Sequence, residues 1–279
     1  MKETLELRIN YDYASLLFKT DEGKKAGTSI KVVEISKNDP RYDQIPIIAK
    51  QLAQKYNKTF FFGWEIKRKY SKKELSTATL LHMKIKNTFE PAGEECGTLY
   101  DESISCEMCG ANRIQISSLM LKKGTIPKKD IARTISGEIV VSGKFVAALK
   151  KRGLKGALLE SVLFSKETST YFQLIALEKV GLMQNTIVGI NPFDLSTSNE
   201  GEIYLCPNGD TIGLNLLSEP YIQNNPSIYT NDIFVSKQTI GIKRGLLRPE
   251  PIYLCSSAFR IMIEEENLSG FDFEIAHIL

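Results

Sequence analysis

The sequence predicts an α+β protein with mixed sheets, a duplicated strand–helix–strand module and a cysteine-knuckle loop. Three observations predict this class. Apolar residues alternate in several stretches, as in half-buried strands. One pattern of strand, serine, short helix and glycine returns after 114 residues. Three of the five cysteines fall between positions 96 and 109.

The first strand is read over residues 5–13, where Leu5, Leu7, Ile9, Tyr11 and Tyr13 occupy every second position. A β-branched run over 29–35 gives a second. Pro46 suits the first turn of a helix, and Ile47, Ile48, Leu52 and Tyr56 follow at helical spacing. Residues 59–70 open with aromatics and then alternate with lysines, a strand with one wet face. Residues 79–89 fit either a strand, through Leu81, Met83 and Ile85, or a helical turn. Residues 185–210 are rich in Asn, Gly, Ser and Pro, and read as long connections around a short strand at 203–206.

The repeat sets Ile139, Ser142, Phe145, Leu149, Leu154, Gly156 and Glu160 against Tyr253, Ser256, Phe259, Ile263, Leu268, Gly270 and Glu274. In each copy an apolar strand ends at a serine that caps the next helix. That helix buries Phe and Leu or Ile at i and i+4. Gly153 or Asn267 supplies a left-handed terminus, and Gly156 or Gly270 turns the chain into an exit strand. These repeated positions are read as core. The division expected is an N-terminal α+β region over 1–120, containing the cysteine loop at 90–110, and a C-terminal region over 121–279. The repeat copies lie at 138–163 and 251–278.

Composition limits the function classes. Of 279 residues, 42% are hydrophobic and 25% charged, ordinary for a folded chain. The net charge of +3 does not by itself point to nucleic acid or membrane. The N-terminus lacks the apolar core of a signal peptide. An odd cysteine number argues against a disulfide framework, so a cytoplasmic location is expected. No nucleophile elbow or glycine-rich phosphate loop is present.

Cys96-Gly97 and Cys106-Glu-Met-Cys109-Gly110 have the form of two zinc knuckles, the first lacking one thiol. The glycine lets the backbone fold over, with N–H groups pointing at the thiolates. Read this way, Cys96, Cys106 and Cys109 are metal ligands, and the missing thiol falls at Gly93. His82, Glu94, Asp101 and the distant Cys206 remain open for the fourth position. A structural zinc site and a vestigial knuckle are both compatible with this pattern. Between Lys122 and Lys155, ten basic residues stand against two acidic ones. Within that run Lys144, Lys150, Lys151 and Arg152 form a candidate surface for an acidic protein partner.

The run Glu95-Cys96-Gly97 through Cys106-x-x-Cys109-Gly110, with the following VSGKF and GLKG, resembles bacterial double-CxxCG-motif proteins. These are grouped with the immunity proteins of polymorphic toxin systems. The C-terminal SSAFRIMIEEENLSGFDFE resembles the end of related immunity families. The resemblance covers roughly residues 90–165 and 250–279. It implies a non-enzymatic cytosolic protein that binds and neutralises a cognate protein toxin. A second expectation is a nucleic-acid-binding protein with a zinc-ribbon-like element, and a third is an enzyme with a metal centre in the cysteine loop. The first is favoured, with a protein partner and no membrane.

Overall fold

The computed structural model of the chain describes residues 1–165, 167–193 and 204–279. Two compact units are present. The first comprises Met1–Glu74 with a short segment around Phe193, and the second holds the remaining described residues.

In the first unit, β1 (Lys2–Asn10), β2 (Lys24–Ala26), β3 (Ile30–Ser36) and β4 (Phe61–Lys69) form a sheet in the order β2-β3-β1-β4. Helix α1 (Gln44–Tyr56) lies between β3 and β4 in the chain. The alternation starting at Leu5 puts Leu5, Leu7 and Ile9 on one face of β1, and all three are buried. Each such side chain contributes about 1.5–3 kcal/mol by leaving water. β1 ends earlier than its alternation suggests. The Asn10 side chain accepts from the Asp12 N–H at 3.2 Å and turns residues 11–16 into a 3-10 helix. In α1, Ile45 and Leu52 are buried two turns apart.

The second unit begins with the short helix α2 (Lys72–Thr77), whose first residues belong to the first unit. In chain order there follow β5 (Leu80–Ile85), β6 (Thr88–Phe89), β7 (Tyr100–Asp101), β8 (Ile114–Gln115), β9 (Ile131–Thr134), β10 (Ile139–Ser142), α3 (Gly143–Arg152), β11 (Ala157–Phe164) and β12 (Glu167–Ala176). Then come β13 (Glu178–Val180), β14 (Val188–Gly189), β15 (Asn215–Leu216), β16 (Tyr221–Ile222), β17 (Ile233–Ile240), β18 (Glu250–Ser256), α4 (Ser257–Glu265) and β19 (Phe271–Ile278). Two sheets dominate, β11-β12-β10-β9-β6 and β13-β17-β18-β5-β19-β16.

The expected duplication takes the same shape in both copies. Ser142 and Ser256 each accept the N–H three residues on, from Phe145 and Phe259, at 3.1 Å in both cases. Gly153 and Asn267 are left-handed, at φ 65° and 48°. The two helices share one core, in which the Phe145 and Phe259 rings lie 5.9 Å apart between centroids.

The repeat extends beyond the strand–helix–strand module. β12 lies between β10 and β11, as β5 lies between β18 and β19. The registers correspond: Phe172 faces Val141 and Ser161, and Leu81 faces Cys255 and Ile275. β6 then runs parallel to β9, and β13 parallel to β17, with Phe89 beside Thr134 and Val180 beside Ser236. Each repeat is thus β-β-β-β-α-β, with a cysteine-bearing insertion after its second strand. Its first strand lies in the sheet that holds the other repeat's helix module. Within residues 79–89 the chain forms two strands, β5 and β6, and not a helical turn, because β5 is enclosed by two partners, with Leu80, Leu81 and Met83 buried there.

This interlocking places the boundary near Glu74 and not at 120/121. β5 pairs with β18 and β19, so the cysteine loop at 90–110 belongs to the same unit as the C-terminal repeat. Of the short strand expected at 203–206, residue 203 lies outside the described residues, and Leu205 bridges Ile212. No described helix is long and apolar enough to cross a membrane.

Candidate metal centre

Two turns of similar build meet in the second unit. In the first, the Cys106 N–H donates to the Ala111 carbonyl at 2.9 Å, and the Gly110 N–H to the Cys106 carbonyl at 2.7 Å. In the second, the Cys206 N–H donates to the Thr211 carbonyl at 2.8 Å, and the Gly209 N–H to the Cys206 carbonyl at 2.9 Å. Gly110 and Gly209 hold φ 69° and 78°, the left-handed conformation that closes each turn with least steric cost. The turns occupy corresponding places in the two repeats, one between β6 and β9, the other between β13 and β17. The second turn is fastened to β17, where the Thr239 N–H donates to the Asp210 carbonyl at 2.7 Å. The Thr211 and Thr239 hydroxyls also meet at 2.9 Å.

This meeting gathers Cys106, Cys109, Cys206 and Asp210, whose ligand atoms all lie within 4.8 Å of one another. The Cys106 and Cys206 sulfurs are 3.6 Å apart. Four ligands about 2.3 Å from a tetrahedral zinc would be separated by roughly 3.8 Å, so the spacing is compatible with a metal. Each turn also steadies the other's ligand. Asn112 Nδ2 donates to Asp210 Oδ1 at 2.7 Å, which leaves Oδ2 4.0 Å from the Cys206 sulfur. Asn208 Nδ2 lies 3.5 Å from the Cys106 sulfur as a donor. Such outer contacts orient ligands and tune a metal site.

The thiols differ electrostatically. Burial pushes Cys109 above its ordinary range, against donation from Thr211 and the Ala111 N–H. Burial also acts on Cys206, but the Asn208 N–H, the Cys106 and Cys109 thiols and the Asp210 N–H outweigh it and hold Cys206 below that range.

The structure brings together only part of the ligand set read from the sequence. Cys106 and Cys109 are joined by Cys206, while Cys96 is not in the cluster. Cys96 ends a 3-10 turn whose Gly93 is packed inward. A β-carbon there would lie 2.6 Å from Leu119 Cδ1 and 2.8 Å from Thr98 Oγ1. The Cys96 turn is therefore packed against the protein interior and is not the second knuckle. Burial raises its thiol pKa, with the Lys122 N–H opposing. His82 is also outside the cluster, in β5 opposite Leu254 and Glu274, with Nδ1 4.0 Å from Glu274 Oε2. Glu94 pairs with Arg113 at 2.8 Å, and Asp101 accepts from the Ser103 N–H at 2.9 Å. Asp210 stands outside the ligand set that the sequence predicts. Its signal is a carboxylate at the end of the Cys206-Pro-Asn-Gly-Asp210 turn.

The basic residues read as a partner surface are largely engaged within the chain. Lys144 Nζ donates to the Asn267 carbonyl at 3.1 Å, and Lys151 pairs with Glu266 at 2.9 Å. Arg152 pairs with Glu265 and lies 3.8 Å from Glu266. Lys150 remains exposed. The carboxylates that answer this charge lie at the end of α4, in the other repeat.

No protein-family model matches this sequence, and a search of curated proteins returns no match.

Proposed function

We propose that the chain is a non-catalytic, cytosolic protein-binding protein of the immunity type, whose paired turns are held by one structural zinc ion. The observation that carries the metal role is the donor set. Three thiolates and a carboxylate complete a tetrahedral shell and leave no open position for substrate, as structural zinc sites do. Thiolate-rich sets of this kind select zinc over harder dications. The ion would join corresponding insertions of the two repeats. The motifs that resemble immunity proteins, CEMCG, VSGKF and SSAFRIM, fall on this centre and on the helix modules. The ion pairs of Lys151 and Arg152 weigh against a nucleic-acid interface, because their charge is already balanced inside the chain.

The experiment is deletion of the gene in its native strain, followed by exposure to kin that secrete toxins. Deletion is expected to sensitise the cells, with rescue by the wild-type chain. Unchanged survival sinks the immunity reading. Elemental analysis of the purified protein is expected to give about one zinc per chain.

A further inference from the structure

The two-stranded ribbon β7–β8 stands beside the metal-binding turn and has two unlike faces. Its inner side is anchored. The Tyr100 hydroxyl donates to Glu138, and the Arg113 guanidinium lies 3.8 Å from the Tyr100 ring centre. The Gln115 and Gln173 amides exchange hydrogen bonds of 3.0 and 2.7 Å. The pleat then turns Leu99, Ile114 and Ile116 outward. Leu99 lies across from Ile116, whose N–H donates to the Leu99 carbonyl at 2.9 Å. Ile114 lies across from Asp101. The three apolar residues are 59%, 51% and 61% exposed, and Ile104 and Met108 nearby are 55% and 68% exposed.

Together these five side chains form an apolar cluster on a face of the unit, and the largest apolar patch on a monomer is often functional. Its electrostatic setting is acidic. Segment 94–117 contains Glu94, Glu95, Asp101, Glu102 and Glu107 against Arg113 alone. Glu94 and Glu102 are answered by Arg113 and Arg248, and Glu102 also by Lys243. Among the described residues no cation pairs with Glu95, Asp101 or Glu107. Three thiolates and Asp210 around a dication would add a net charge of about −2 beside them.

We infer that the outer face of β7–β8, with Leu99, Ile114 and Ile116 at its centre, is the docking surface for a basic protein partner. This rests on the binding function proposed above and gives it a place and a partner chemistry. Apolar anchors supply affinity at the centre of such an interface, and the unpaired carboxylates steer and select a cationic partner. The partner charge is opposite to the one suggested by Lys144–Arg152 in the sequence.

The test is affinity capture from native-cell extract with the full-length, zinc-loaded protein, alongside I114K/I116K, D101K/E107K and K150E. Zinc content and circular dichroism establish that each variant is folded. The wild type is expected to retain one basic protein, identified by mass and purified for titration. I114K/I116K should weaken its Kd at least about tenfold. D101K/E107K should flatten the salt dependence, and K150E should change neither. Retention of a partner indifferent to I114K/I116K, or of an acidic partner, overturns this surface while the binding function stands. Failure of the wild type to retain any protein overturns both.

Discussion

Asp130 and Asp232 each hold the turn that closes the other repeat. Asp130 accepts from the Ser142 hydroxyl at 2.8 Å in its own repeat, and from the Ser269 N–H and hydroxyl at 2.8 and 2.9 Å in the second. Asp232 accepts from the Ser256 hydroxyl at 2.7 Å, and from the Lys155 N–H at 2.9 Å in the first. Each carboxylate therefore fixes a helix cap and the opposite repeat's exit turn together. Hydrogen bonds to a charged acceptor contribute about 1.5–3 kcal/mol each. D130A and D232A are each expected to lower unfolding free energy by about 2–3 kcal/mol in urea titrations. S142A, which loses the cap while the aspartate keeps its Ser269 contacts, should cost about 1 kcal/mol. Equal small effects for all three would show that the brace is not cooperative.

Acid provides a second measurement of the same brace. Burial raises the Asp130 pKa, but donation from the Ser269 N–H and from the Ser142 and Ser269 hydroxyls lowers it more, so the folded value lies below the ordinary one. A carboxyl with a depressed folded pKa contributes stability above its unfolded pKa of about 3.9. That contribution is lost as pH falls through the folded value. The wild type should thus lose stability more steeply than D130N as pH falls below about 4. Parallel urea midpoints across that range would refute the assignment.

Gly156 and Gly270 occupy the exit turns at φ 100° and 102°. A β-carbon at either would stand 2.4 Å from a backbone carbonyl oxygen, that of Ile233 or Ile131. G156A and G270A are expected to cost on the order of 3 kcal/mol each, from backbone strain and displacement of the opposing strand. Gly124 also holds positive φ, at 85°, but has nothing within 4 Å of the added carbon. G124A should be milder than either, and thermal melts of the three proteins would decide it.

For the metal centre, C106S, C109S and C206S should each abolish stoichiometric zinc, read by elemental analysis and competition with a chromogenic chelator. D210N should retain the ion more weakly, and N112A should reduce affinity about 10–100-fold through the freed carboxylate. C96S should bind as the wild type does. Zinc loss in C96S, with retention in C206S, would reinstate the ligand set expected from the sequence.

Each helix module was legible because it is local. Ser142, Phe145, Leu149 and Gly156 lie within one turn-to-turn stretch, and cap, buried face and terminus each have a residue type that marks them. The place of β5 and β12 was not legible. Alternation shows that Leu81, Met83 and Ile85 can form a strand, but register with Cys255 and Ile275 is set by pairing across nearly the whole unit. The candidate metal centre divides in the same way. Cys106 and Cys109 declare themselves by spacing. Cys206 and Asp210 join them only because corresponding insertions of two repeats meet in space, and Cys96, the nearer thiol, is drawn off by the packing of Gly93. Lys151 and Arg152 looked free because their carboxylate partners, Glu266 and Glu265, stand at the end of α4, more than a hundred residues away.

The exchange of first strands bears on how the chain emerges from the ribosome. β5 is synthesised well before β18 and β19, the two strands that enclose it. Until then the apolar Leu80, Leu81 and Met83 have no native neighbours on either side, and so they are natural targets for a holding chaperone. With its innermost strand contacts spanning such long sequence separations, this unit should mature slowly, and only once β18 and β19 have been made.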